Sequence, residues 1–306
     1  MPILGVNAVS AQRFWQLPDG LRAALAERIP EGWSLEVCAD AGSLGSLVRR
    51  SEVVLGWPFP SALARRAERL RWVHFFTAGV PESWRDIQGI ELTTSVGLTA
   101  GSVAEHGLFL ALAGLRGAVA GGFRSWDPDT MAVARVPGEM QALVVGYGAV
   151  GRELCRRLAP LFASVRALSR TGRMGEAVEV WPFERGDQAF SEADLVALAV
   201  PLSAESRALL SPARFFAALR PGALIVNVAR GELVDEEALL RFLEANPESR
   251  YLADVAHPEP YADHLPLWRS QQVLLTPHVA GRRADAWDRI GARALELVSE
   301  RLRSPA

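Results

Sequence analysis

Short apolar runs alternate with helical patterns along the whole chain, and this alternation restricts the fold more than any other feature of the sequence. The first series holds five runs: ILGVNAV (3–9), SLEVCA (34–39), EVVLGW (52–57), WVHFF (72–76) and IELTTS (90–95). A long helical pattern follows, with Ser102 as its expected cap, and continues through VAEHGLFLALAGLRGAVAGGF. After the turn-rich RSWDPDT comes a second series of six runs: ALVVGYG (142–148), SVRAL (164–168), DLVALAV (194–200), ALIVNVA (223–229), YLADVA (251–256) and QVLLTP (272–277). Strands that alternate with helices build βαβ units and a parallel sheet. Two series therefore predict an α/β chain with two doubly wound parallel-sheet domains, closed by a final helix over about 284–301. The 306 residues suit two domains of about 150 each.

Composition excludes several classes. Apolar residues make up 49% and charged residues 22%, a balance that folds into a core rather than staying disordered. With 33 Lys+Arg against 35 Asp+Glu the net charge is −2, so no global field attracts nucleic acid or an anionic membrane. Cys38 and Cys155 lie far apart with no CxxC, which argues against a disulfide framework or a structural zinc and for a cytoplasmic setting. The N-terminal stretch lacks a basic region followed by an apolar run, and the most apolar segment, 103–122, contains Glu105, His106 and Arg116, so no membrane span is expected. Asp235, Glu236 and Glu237 read as a cap and an acidic first turn for the helix that follows, and no metal is assigned. The nine tryptophans are scattered, without the basic interleaving of a nucleic-acid stacking surface.

The sharpest local signal is Gly146-Tyr147-Gly148-Ala149-Val150-Gly151, a GxGxxG between the apolar strand QALVV and the amphipathic helix RELCRRLAPLF. In that context Gly146 makes the tight turn, Gly148 lets the backbone approach a pyrophosphate, and Gly151 lets the helix pack near the strand. The helix N-terminus faces the negative charge. A dinucleotide is the expected ligand. At the end of the next strand NAD-binding units carry Asp or Glu to take the ribose 2′-OH, but here the chain reads Leu168-Ser169-Arg170-Thr171-Gly172-Arg173. Hydroxyls and Arg170, with Arg173 nearby, suit a 2′-phosphate, so NADP(H) is expected over NAD(H), which stays possible.

Arg230, Glu259 and His278 each follow a predicted strand of the second sheet, and in open α/β sheets the carboxyl ends of the strands line the ligand crevice. Reduction of a 2-keto acid needs a cation for the carboxylate, a proton donor for the developing alkoxide and a group that keeps the donor protonated. A guanidinium, an imidazole and a carboxylate supply these. His257 is the reserve donor, while His106 on the long helix reads as a packing or interface residue.

At these motifs the chain resembles the D-isomer-specific 2-hydroxyacid dehydrogenases. The resemblance runs from about Phe76 to Gly281 through VGYGAVG (145–151), ADLVALAVPLSAESRALL (193–210), GALIVNVARGELVDEEAL (222–239), ADVAHPEP (253–260) and LPLWRSQQVLLTPHVAG (265–281). It implies a flavodoxin-like substrate domain split between both chain ends (1–98 and 284–306), a central Rossmann coenzyme domain (99–283), domain closure, and a homodimer. It also implies roles: Arg230 orients substrate, Glu259 pairs with the imidazole, and His278 is the general acid/base. Pro201, Val228 and Asp254 join Gly146–Gly151, Ser169, Arg170 and Thr171 at the cofactor, Asp254 near the nicotinamide amide. Ala78, Gly79 and Val80, in a loop that begins at Thr77, offer backbone N–H groups to the substrate carboxylate; Pro81 stands where the family commonly has Asp. The missing acid at Ser169 resembles the NADP-preferring glyoxylate/hydroxypyruvate reductase branch. Glu259, where formate dehydrogenases carry Gln, argues against that chemistry. A nucleotide-sensing corepressor of the same fold and a phosphite-oxidising enzyme are the alternatives.

Overall fold

The computed structural model describes residues 1–10, 13–118, 135–172 and 178–302. The chain divides into two compact units, one made of Met1–Thr99 with Arg282–Ala306 and the other of Ala100–Gly281.

In the first unit, strands β1 (Ile3–Asn7), β2 (Ser34–Cys38), β3 (Val53–Gly56), β4 (Trp72–Phe75) and β5 (Glu91–Thr94) form a parallel sheet in the order β2-β1-β3-β4-β5. This is the flavodoxin-like order. Strands β3 and β4 are buried at every position, which is why they read as apolar runs, interrupted in β4 only by His74. Side chains alternate between the faces. Val53 and Leu55 meet helices α1 (Asp19–Arg28) and α10 (Ala286–Arg301), whereas Val54 meets α2 (Ala41–Arg50) and the buried Trp84. Burying one such aliphatic side chain contributes roughly 1.5–3 kcal/mol. Because α10 supplies Ile290, Ala294, Leu297 and Val298 to this core, the unit needs both chain ends.

The second unit is a parallel sheet of β6 (Gln141–Val145), β7 (Ser164–Ser169), β8 (Glu179–Pro182), β9 (Leu195–Leu198), β10 (Leu224–Asn227), β11 (Arg250–Ala253) and β12 (Val273–Leu275), ordered β12-β11-β10-β9-β6-β7-β8. From β6 the chain winds outward through β7 and β8, then crosses back to β9 on the other side of β6, the Rossmann order with one added strand. The switch point therefore lies between β6 and β9. Helices α4 (Ala100–Leu115) and α5 (Ala149–Leu158) cover one face through Ala104, Leu110, Ala111, Leu154 and Leu158. Helix α9 (Glu236–Ala245) lies on the other face and is capped by Asp235, whose carboxylate accepts from the Ala238 N–H at 2.8 Å.

Two expectations need correction. The second sheet gains β8, which the apolar pattern omits because only Val180 and Trp181 of its four residues are buried. That edge strand is held by charge instead, the guanidinium groups of Arg166 and Arg185 lying 3.6 and 3.2 Å from the Trp181 ring centroid. Helix α4 starts at Ala100, so Ser102 is not its cap; the expected extension of that helix beyond residue 118 and Arg173 lie outside the described residues. Among the described residues no helix is long and apolar enough to cross a membrane, and no group of three or more His, Cys, Asp or Glu is placed to hold a metal ion.

Candidate active site

The GxGxxG turn sits at the switch point. Gly146 follows β6 with φ +107°, and a Cβ there would lie 2.5 Å from the carbonyl oxygen of Ala199, just past β9. A Cβ on Gly151 would lie 1.9 Å from the carbonyl oxygen of Gly146, so the helix can approach the strand only with glycine at this position. Gly148 differs. A Cβ on it would meet nothing within 4 Å, and it caps α5, whose first-turn N–H groups have no intrahelical acceptors. Tight packing on two glycines and open space over the third, at the positive end of a helix, make a cradle that fits a pyrophosphate.

Farther along the same carboxyl edge, β12 ends in a turn that carries His278. This is the one non-glycine among the described residues with positive φ, +51°, a conformation costing roughly 1–2 kcal/mol. The turn is held by Asp254, which follows β11 and is 1% exposed. Its carboxylate accepts from Thr276 Oγ1 at 2.6 Å, from the Val279 N–H at 2.9 Å and from the Ala280 N–H at 2.7 Å, while its carbonyl accepts from the His278 N–H at 2.8 Å. Asp254 thus acts as the anchor of the His278 turn, with both carboxylate oxygens engaged by the protein.

His278 Nδ1 lies 2.7 Å from Glu259 Oε2, and both side chains are partly open to solvent. The hydrogen bond to Glu259 raises the imidazole pKa; burial opposes this, the charges of Glu259 and Asp254 reinforce it, and Arg230 works against it, leaving the group above its ordinary value. For Glu259, burial pushes the pKa up, but the bond to His278, the imidazolium charge, the Ala256 N–H and the Arg230 guanidinium outweigh it and leave the carboxyl low. Each partner therefore favours the charged form of the other. Arg230 stands exposed after β10, in a turn tied by Asn227, whose Nδ2 donates to the Arg230 carbonyl at 2.9 Å and whose Oδ1 accepts from the Ala229 N–H at 3.0 Å. Gly231 brings this turn against the Glu259 loop: a Cβ there would lie 2.1 Å from Ala256 backbone atoms. The X-Pro bonds on either side of Glu259, His257–Pro258 and Glu259–Pro260, are both cis.

Residues 116–280 match the sequence model of the D-isomer specific 2-hydroxyacid dehydrogenase NAD binding domain, more than half of the chain. The chain belongs to this family. Glyoxylate reductase of Pyrococcus furiosus is 29% identical over 253 residues, 77% of this chain and 73% of that protein. An uncharacterised protein of Corynebacterium melassecola, from the proB 3′ region, is 30% identical over 158 residues, and there the match spans about half of each chain (51% of this one and 49% of the other). Among solved structures, an acyclic imino acid reductase in complex with NADPH and D-Arg superposes with a TM-score of 0.82 over 99% of this chain and 97% of its own, at 18% identity, a likeness of fold.

Within this dehydrogenase fold the remaining candidates fall into place unequally. Ser169, Arg170 and Thr171 lie at the end of β7, with Arg170 exposed and Ser169 Oγ accepting from the Gly172 N–H at 3.1 Å. Pro201 and Val228 follow β9 and β10 on the same carboxyl edge as Gly146. Ala78, Gly79 and Val80 belong to the first unit, after β4, where Val80 packs against that unit's core and Thr77 Oγ1 donates to the Gly79 carbonyl at 3.0 Å. His257, the reserve donor, is exposed and lies 3.8 Å from Glu232. Sequence reasoning missed Thr276 and the placement of Ser102 and His106, all of which touch the His278 turn. The TPH motif held the first; the other two lie more than 160 residues away in sequence.

Proposed function

We propose that this protein reduces small 2-keto acids to D-2-hydroxy acids with NADPH, in the manner of a glyoxylate or hydroxypyruvate reductase. The observation that carries this reading is the His278–Glu259 pair at 2.7 Å, on a strained turn at the carboxyl edge of the sheet that also holds the glycine cradle.

In this reading the segment Gly146–Gly151 and the first turn of α5 hold the dinucleotide pyrophosphate, with Pro201 and Val228 lining its path. The absence of a carboxylate at Ser169 and the exposed Arg170 favour a 2′-phosphate. When bound there, a reduced nicotinamide would supply the hydride, a proton with two electrons, for the keto carbon. Glu259 occupies Nδ1 of His278, so Nε2 faces the substrate and passes its proton to the keto oxygen as the carbon is reduced. Glu259 keeps the imidazole charged until that transfer, and Arg230 neutralises the substrate carboxylate. The proposal also assigns the backbone N–H groups of Ala78, Gly79 and Val80 to binding a substrate carboxylate. A homodimer built on the second unit belongs to the proposal, with Phe109, 52% exposed on α4, as apolar surface for it to cover.

The test is the loss of nicotinamide absorbance with purified protein, NADPH against NADH, over glyoxylate, hydroxypyruvate and larger 2-keto acids. Turnover with a 2-keto acid, faster with NADPH, is expected. Cofactor binding without turnover of any 2-keto acid would instead make the protein a nucleotide sensor.

A further inference from the structure

The turn from Thr276 to Ala280 is gripped at both ends by one helix. Ser102 and His106 are four residues apart on α4 and so share a face. Ser102 Oγ donates to the Ala280 carbonyl at 2.7 Å, and His106 Nε2 lies 2.8 Å from Thr276 Oγ1. Between these two clamps stands His278.

The donors can be assigned from chemistry. A carboxylate only accepts, so the single proton of the Thr276 hydroxyl points to Asp254 Oδ1, 2.6 Å away. The Thr276 oxygen must then accept from His106, which fixes the proton of that ring on Nε2. A continuous relay results: His106 Nε2–H to Thr276 Oγ1–H to Asp254, whose oxygens also take the Val279 and Ala280 N–H groups. His106 Nε2 lies 3.5 Å from Asp254 Oδ1, and its ring leans on Phe109 with centroids 5.5 Å apart. Burial keeps His106 below its ordinary pKa against the opposing pull of Asp254, so near neutral pH the ring is an uncharged donor rather than half of an ion pair.

We infer that Ser102 and His106 are positioning residues for His278: together they clamp the strained turn so that its imidazole meets Glu259 and presents Nε2 to the substrate. Neither residue touches the proposed reacting atoms. Their effect passes through Thr276, Ala280 and Asp254. This inference rests on the proposed role of His278, so its test carries one readout that needs no turnover.

Three variants, His106→Ala, His106→Gln and Ser102→Ala, are compared for kcat, for KM of NADPH and for the titration of His278 followed by NMR of isotope-labelled histidine. His106→Ala is expected to lower kcat about 10- to 100-fold, the scale of a displaced catalytic group, with KM for NADPH within about twofold. Its His278 titration should fall toward the ordinary histidine value, because the imidazole no longer sits squarely on Glu259. His106→Gln, whose side-chain amide can donate to Thr276, should restore most of both. Ser102→Ala, a deletion of one hydroxyl, should show the same two effects at about 3- to 10-fold in kcat. The inference is overturned if His106→Ala and Ser102→Ala leave the His278 titration unchanged, or if glutamine rescues neither quantity. Failure of the functional reading alone looks different: His278 titrates as described and moves in the variants, but no 2-keto acid is turned over.

Discussion

Each parallel sheet of this protein places a histidine toward its carboxyl edge, and the two are opposites. His74, in β4 of the first unit, is fully buried, with Nδ1 2.9 Å from Thr93 Oγ1 and Nε2 3.3 Å from Ser95 Oγ. The Trp72 indole N–H donates to the same Thr93 oxygen at 2.9 Å, so the ring is held among hydroxyl groups with no carboxylate bonded to it. Burial, helped by the charges of Arg293 and Arg301, lowers the pKa of His74 to about 4. His278, at the end of β12, is about half exposed and bonded to a carboxylate, and its pKa moves up. One side chain therefore serves two purposes. Hydroxyl partners in a closed core favour a neutral structural strut, whereas a carboxylate partner at an open strand end favours the charged ring that the proposed proton transfer requires.

Removing the proposed donor gives the largest expected effect. His278→Ala should lower kcat for 2-keto acid reduction by about 10³-fold, within the range for loss of a general acid, and leave cofactor affinity within about threefold. Near-normal turnover in that variant would end the distinction between the two histidines.

The strut makes a stability prediction with a definite sign. Because the folded pKa of His74, about 4, lies below the ordinary 6.5, the unfolded chain binds this proton first as the pH falls. Its contribution is fully present above about pH 7 and is lost between 6.5 and 4, a change of roughly 3 kcal/mol. Urea unfolding of the protein and of His74→Gln across that interval should show a shallower loss of stability in the variant, with turnover near neutral pH within about twofold of the parent. Equal slopes would mean that His74 takes up its proton without unfolding the sheet.

How far the sequence led follows from the range of the interactions involved. Strands buried on both faces announce themselves as continuous apolar runs, and GYGAVG announces the turn at the switch point because its glycine requirements are local. Arg230, Glu259 and His278 were legible as polar residues just past strand ends. Strand β8 was not, since an edge strand pinned by Arg166 and Arg185 on Trp181 has almost no apolar pattern. Ser102 reads as a cap and His106 as a packing residue because their partners, Ala280 and Thr276, are brought to them only by the fold. Tryptophans scattered in the sequence likewise converge: Trp15, Trp57 and Trp287 meet edge-to-face in the first unit, with centroids 5.2 to 6.3 Å apart. The support that Asp254 gives the His278 turn through Thr276, Val279 and Ala280 was not legible either, since those bonds span 22 to 26 residues of sequence.

The central claim is that Glu259 holds His278 protonated for transfer to a keto oxygen, and the most direct measurement is the pH dependence of the single-turnover rate of NADPH oxidation by glyoxylate, in the protein and in Glu259→Gln. The reduction rate should be high at low pH and fall as the pH rises through a pKa above the ordinary histidine value. In Glu259→Gln the fall should move to lower pH, with the plateau reduced about tenfold. The same midpoint in both proteins would contradict the claim.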